Sequence, residues 1–161
     1  MSWLSGWLGN WLGGWLGGQS ETGQSLELEA ALKALLDSCP GLAVLIGANN
    51  YELMLPQSPD YPCLSYYRVT TLRQPLMGAD SHIARAVVSV AAWSPVNAEV
   101  KAVIEQVVAC LRRYNGIVSV GAASLQILDI YLRGEADNYD PAARVFSSTL
   151  DFEVVYYEEP T

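Results

Sequence analysis

The chain has 161 residues, 51% of them hydrophobic and 16% charged, with a formal net charge of -8. This is enough apolar mass for one compact domain with an appendage, and it argues against wholesale disorder. Such an acidic surface repels phosphate backbones and so disfavours dedicated nucleic-acid binding, although DNA can slide past it without sticking.

The first 18 residues stand apart from the rest. Trp3-Leu4, Trp7-Leu8, Trp11-Leu12 and Trp15-Leu16 repeat every four residues, with Gly, Ser and Asn filling the gaps. On a helix a period of four advances about 400°, so each pair drifts only about 40° from the last and the four form one slowly winding stripe. Gly6, Gly9, Gly13, Gly14, Gly17 and Gly18 oppose that helix, each at roughly 1 kcal/mol relative to Ala. Alone in water the segment is not expected to hold a helix; it needs a partner surface. Residues 1–19 are therefore read as a Trp/Leu/Gly-rich arm, and 20–161 as the core domain.

Gln19 to Gln24 is a polar linker. Ser25 is placed to cap a first helix with Glu27 and Glu29 in its opening turn, and Leu28, Leu32, Leu35 and Leu36 mark its buried face. Cys39-Pro40-Gly41 ends it. Residues 42–46 are too short to type, and Gly47 to Asn50 reads as a turn. Pro56, Pro59 and Pro62 keep the following stretch extended before a strand from Cys63 to Leu72. A loop from Gln74 to Ser81 leads to a second strand, Ile83–Trp93, and the two form a long antiparallel hairpin. Ser94-Pro95 starts a second helix carrying Val96, Val100, Val103, Ile104, Val107, Val108 and Leu111 at helical spacing, with Arg112 and Arg113 near its C-terminus. Strands follow at Ile117–Val120 and Leu125–Leu132, then a polar loop from Arg133 to Ala142, then a last strand from about Arg144 to Tyr157. The order predicts an α+β domain: an antiparallel sheet with two main helices packed on one face.

Catalytic readings are thin. His82 is the only histidine, so a His-based metal cluster is excluded and a triad would depend on this residue. It neighbours Asp80 and Ser81 in the hairpin loop, but triad members normally converge from distant positions, and a solvated histidine is the plainer reading. Glu135, Asp137 and Asp140 lack the closing bidentate Glu of an EF-hand and read as a solvated loop. The glycines of the arm follow no strand and carry no Lys-Ser/Thr, so no phosphate-binding loop is supported.

Cys39, Cys63 and Cys110 have no metal-ligand spacing. Their odd number argues against a closed disulfide framework and for burial or a reducing compartment. The tyrosine pairs Tyr66-Tyr67 and Tyr156-Tyr157 are read as core and sheet packing. No stretch approaches the roughly 18 apolar residues of a transmembrane helix, and the start lacks the basic residues of a secretory signal. The expectation is a soluble chain, intracellular at synthesis.

Exposed tryptophans at the density of the arm invite aggregation unless covered. A membrane-surface helix wants Lys or Arg on its polar face, and residues 1–20 contain none. Protein contact suits the arm better, since Trp is favoured at interface anchors.

Four stretches carry a resemblance. They are LEAALKALLDSCPGLAVLIG, with its Leu-rich face running into Pro40-Gly41-Leu42, and LPQSPDYPCLSYYRV, a proline-bounded lead into a long strand. The third is the strand-to-helix step VVSVAAWSPVNAEVKAVIEQVVACL, and the last is the final strand FSSTLDFEVVYYE. In this order, from residue 25 to about 157, they resemble the tail completion (tail terminator) proteins of long-tailed bacteriophages. The Trp-Leu arm lies outside the resemblance, and the Arg133–Ala142 connection departs from the simplest family pattern.

The resemblance implies a small structural subunit of the virion, synthesised in the host cytoplasm, that forms a hexameric ring on the head-proximal end of the tail. Such a ring stops tube polymerisation and joins the tail to the head. It implies a tail tube protein and a head–tail connector protein as partners, DNA passing through an acidic lumen, and no catalytic residue, cofactor or small-molecule substrate. A ring needs one patch to meet a different patch on the next copy. The expected contact residues are Trp3, Leu4, Trp7, Leu8, Trp11, Leu12, Trp15 and Leu16 of the arm, with Gln74, Pro75, Leu76 and Met77 of the hairpin tip. The rival readings are a membrane- or partner-docking adaptor using the arm, and a hydrolase or metal-dependent enzyme using His82 and nearby acids.

Overall fold

The computed structural model describes residues 26–158, apart from the side chains at positions 74, 76 and 79–81. Helix α1 spans Leu28–Asp37, because Leu28, Ala31, Leu32, Leu35 and Leu36 recur at helical spacing and share one buried face. Glu27 occupies its N-cap without a side-chain hydrogen bond; Ser25, the cap expected from sequence, lies outside the described residues. Pro40 does more than end α1. It opens a short helix α2, Pro40–Ile46, at a position where a missing N–H costs nothing. Leu42 and Ile46, four residues apart, are the buried residues of that helix.

The remaining elements are β1 (Asn50–Glu52), β2 (Cys63–Leu76), β3 (Ala79–Ser94), α3 (Asn97–Leu111), β4 (Gly116–Val120), β5 (Ala123–Asp140) and β6 (Val145–Tyr157). The strands form one six-stranded sheet in the order β1-β2-β3-β6-β5-β4. The expected α+β architecture is present, with one difference of detail. The three-residue β1 joins the edge parallel to β2, while the other pairings are antiparallel. Residues 47–49 form the expected turn, but Asn50 already belongs to β1.

Two connections are shorter than the sequence suggested. The hairpin loop expected over Gln74–Ser81 contracts to Met77-Gly78, with Gly78 at φ +80°, a conformation that glycine reaches without strain. The polar loop expected over Arg133–Ala142 is mostly strand: Glu135–Asp140 pair with Val145–Leu150 of β6, leaving residues 141–144 as the turn. Polarity misled there because this stretch of β5 is exposed, so its strand character shows in pairing rather than in apolar alternation.

The helices cover one face of the sheet. Leu64, Tyr66, Val88, Val90, Leu150, Phe152, Val154, Ile127 and Ile130 point into that layer and meet Leu32, Leu36, Val103 and Val107. Ser94 starts α3 from outside: its hydroxyl accepts the backbone N–H of Val96 at 3.1 Å. The expected role of Arg113 as a helix-dipole partner is replaced by another. Arg113 turns back at φ +61°, donates its backbone N–H to Ile130 and places its guanidinium 2.9 Å from Asp129 and over the Tyr131 ring. It thereby ties the end of α3 to β5.

The cysteine expectation is corrected. Cys39, at the N-cap of α2, is bonded to Cys110 in the last turn of α3, and Cys63 is the free, buried thiol. The pair is 71 residues apart in sequence, so counting and spacing could not find it; helix packing brings it together.

Candidate assembly surfaces

Hairpin tip, sheet edges and open sheet face are the surfaces through which this fold can meet others. The tip extends from the end of the sheet, with Pro75 exposed and Met77 fully so. Its stem is braced from β6. Arg73 forms a two-pronged ion pair with Glu158, at 2.6 and 2.8 Å, and the Glu158 backbone N–H donates to the His82 carbonyl at 2.6 Å. The Arg73 hydrogen bonds hold the Glu158 carboxyl below the usual carboxylate range against a smaller opposing effect of burial. A fork-to-fork pair of this kind fixes direction as well as distance and ties β2 to the residue that follows β6. The side chains of Gln74 and Leu76 lie outside the described residues, as do Trp3, Leu4, Trp7, Leu8, Trp11, Leu12, Trp15 and Leu16.

His82 sits in the stem at φ +58°, its ring 6.0 Å from that of Tyr157. The side chains of Asp80 and Ser81, the other members of the considered trio, are outside the described residues. Among the described residues no group of three or more His, Cys, Asp or Glu side chains gathers as a cation site. The acidic run Glu135, Asp137 and Asp140 is spread along β5. Lys101 and Ser148 each donate to Asp137 at 2.6 Å, which holds its carboxyl below the ordinary range. The Asp140 carboxylate accepts the backbone N–H groups of Ala142 and Ala143 and so shapes the turn.

The tyrosine pairs divide as alternation requires, with Tyr66 and Tyr156 in the core and Tyr67 and Tyr157 facing out. Burial, reinforced by the charges of Glu52, Asp37 and Glu29, pushes the Tyr66 hydroxyl up to about 12, so it stays neutral. Burial also pushes the Cys63 thiol up to about 11, leaving little of the nucleophilic thiolate near neutral pH.

On the open face of the sheet, Ser65, Ser89 and Ala91 form a floor of small residues. Trp93 flanks it and donates its indole N–H to the Ser65 hydroxyl at 3.0 Å. Together with Leu53, Met54 and Tyr67 they line an open cleft of about 380 Å³.

The lateral edges carry the apolar residues that the sequence reading passed over. Met54, Val69 and Leu72 are exposed along the β1–β2 edge, and Ile117, Val120, Leu128 and Tyr131 along the β4–β5 edge. A usable signal existed in β4, whose five residues GIVSV place apolar side chains on both faces. An ordinary surface strand alternates apolar with polar.

A small α+β domain with apolar sheet edges and a projecting hairpin offers several surfaces on which another chain can pack. The sequence profile of the tail completion protein gp17 family matches residues 30–157. The chain therefore belongs to that family and is a structural component of phage tails. Among curated proteins none matches. Among solved structures, a chain from the virion of a native gene transfer agent particle has a similar fold. Its TM-score is 0.66 at 17% identity, covering 81% of this chain and 94% of that one.

Proposed function

We propose that this protein is a tail terminator: copies form a ring of six on the head-proximal end of the tail tube, stop its polymerisation and offer a surface to the head–tail connector. The observation that carries this reading is the family match across residues 30–157, which takes in both principal helices and the sheet. The similar chain in the gene transfer agent particle belongs to a virion, which suits a subunit that ends its life inside an assembled particle. Its partners are further copies of itself, the tail tube protein and the connector. The net charge of -8 suits a lumen through which DNA passes without being held. Residues 1–19 act as a separate docking arm whose Trp-Leu pairs anchor on a protein neighbour, and Pro75 and Met77 bring the hairpin tip to the same task.

Light scattering on the full-length protein tests the ring. An oligomer of about 105 kDa, six copies of the 17.5 kDa chain, is expected. A species of 17.5 kDa at every concentration up to the millimolar range would overturn it.

A further inference from the structure

The sulfurs of Cys39 and Cys110 lie against one backbone group, the Leu35 carbonyl, at 3.0 and 3.6 Å. That carbonyl belongs to the last turn of α1, whose oxygens lack partners inside the helix. The Ser38 hydroxyl donates to it at 2.7 Å. A carbonyl oxygen accepts twice, so one lone pair is left for the cysteines. In the oxidised chain the sulfurs carry no hydrogen and only touch it. In the reduced chain each carries an S–H, and an acceptor is already in place.

The helices are also held together by other means. Leu42 and Ile46 of α2 and Val107 and Leu111 of α3 are buried in one cluster. The Gln106 side chain occupies the space that a Cβ on Gly41 would need. Gln106 and Cys110 stand four residues apart on α3 and so share a face. Gly41 therefore rests on α3 whether or not Cys39 is joined to Cys110. The two sulfurs differ in access: Cys39 is 5% exposed, while Cys110 is only partly buried.

We infer that the pair is a late-closing redox lock: the chain folds as the dithiol, and outside reducing conditions Cys110 reacts first and Cys39 resolves it. With a small-molecule disulfide such as oxidised glutathione, the Cys110 thiolate attacks one sulfur, forming a mixed disulfide and releasing one glutathione thiol. The Cys39 thiolate then attacks the Cys110 sulfur, closing the bond and releasing the second. Two protein thiols lose two electrons and two protons in all, and one small disulfide becomes two thiols. Closure ties the junction of α1 and α2 to the end of α3. Its timing rests on the virion role proposed above, since a host cytoplasm keeps thiols reduced until particles are released; the order of the two cysteines does not.

Reduced full-length protein, freed of reductant and exposed to oxidised glutathione, tests the order by intact and peptide mass spectrometry. The wild type is expected to lose two hydrogens and retain no adduct. Cys39→Ser is expected to keep one glutathione on Cys110, and Cys110→Ser to stay unmodified at Cys39 over the same time. Acid quenching of the wild type during the reaction reads the order without a substitution, with the transient adduct expected on Cys110. An adduct on Cys39 instead, or equal capture there in Cys110→Ser, would overturn the order. Near-UV circular dichroism of the reduced wild type is expected to match that of the oxidised protein. Loss of that signal on reduction, or glutathione on the fully buried Cys63, would overturn folding as the dithiol. N-ethylmaleimide added to intact producing cells is expected to find both thiols open, and released particles to carry the bond. Closure already complete inside cells would overturn the late lock. Absence of the chain from particles would instead sink the virion reading and leave the order of the cysteines standing.

Discussion

Cys39 and Cys110 join the start of α2 to the last turn of α3, with Cα atoms 6.2 Å apart, and so close a covalent loop across 71 residues of sequence. That separation lies within the range that a disulfide spans without moving the backbone. The chain-entropy account assigns about 4 kcal/mol to a loop of this length. Oxidised protein unfolded without reductant should titrate one thiol, that of Cys63, and three after reduction. Cys110→Ser should lower the thermal midpoint of the oxidised protein and leave that of the reduced protein nearly unchanged. Three thiols in the oxidised sample would show the bond absent.

Phe152 lies in the middle of β6, buried against both β3 and β5, where it pairs with Val88 and Leu132. Removing its ring leaves a cavity that the surrounding strands cannot close. Phe152→Ala should cost about 3–5 kcal/mol, read from the urea midpoint with an unchanged slope. A loss below about 1 kcal/mol would contradict the central placement of this side chain.

Much of this core was legible in the sequence. Leu28, Leu32, Leu35 and Leu36 announce α1, Val100 to Leu111 announce α3, and Leu150, Phe152, Val154 and Tyr156 alternate along β6. In each, one side faces the helix–sheet interface, so burial imposes its period on the residues. Three features were not legible. The second half of β5 has solvent on most of its surface, and nothing selects apolar residues there. Pro40 signals both an end and a start, and sequence alone read the end. Cys39 and Cys110 meet only because α2 and α3 pack together. The candidate surfaces were half legible. The hairpin tip is visible as Pro75 to Gly78 and β4 by its apolar residues on both faces, whereas the edge position of Leu72 follows from strand order, which no local pattern encodes.

Two carboxyls should titrate below the ordinary range, for separate reasons. Asp137 is held down by hydrogen bonds from Lys101 and Ser148, and Glu158 by those from Arg73. A folded-state pKa below the unfolded value contributes stability above the unfolded pKa and loses it as pH falls through the folded one. Both contributions should therefore be present at neutral pH and fade in the acid range below the usual carboxylate values. Carboxyl NMR titration should show the Asp137 midpoint rise in Lys101→Met with Glu158 unmoved, and the reverse in Arg73→Met. Equal movement of both in either variant would contradict these pairings.

The arm and the core should separate by mutation. Replacing Trp3, Trp7, Trp11 and Trp15 with Ala should impair assembly while the thermal midpoint and circular dichroism of the core stay unchanged. The core elements begin only at Leu28, beyond the polar linker. Equal liposome flotation of the full chain and of a version starting at Gln19 is expected if the arm serves protein contact and not membrane. Loss of the core fold in the four-Ala variant would contradict the division at residue 19.

The central claim concerns position, and imaging tests it most directly. Electron microscopy of intact particles, with a gold-labelled antibody against the chain, should place the label at the junction of tail and head. Particles made without the protein should carry tails of uncontrolled length and no joined heads. Label at the distal tip or along the tube, or normal particles in the absence of the protein, would contradict the account.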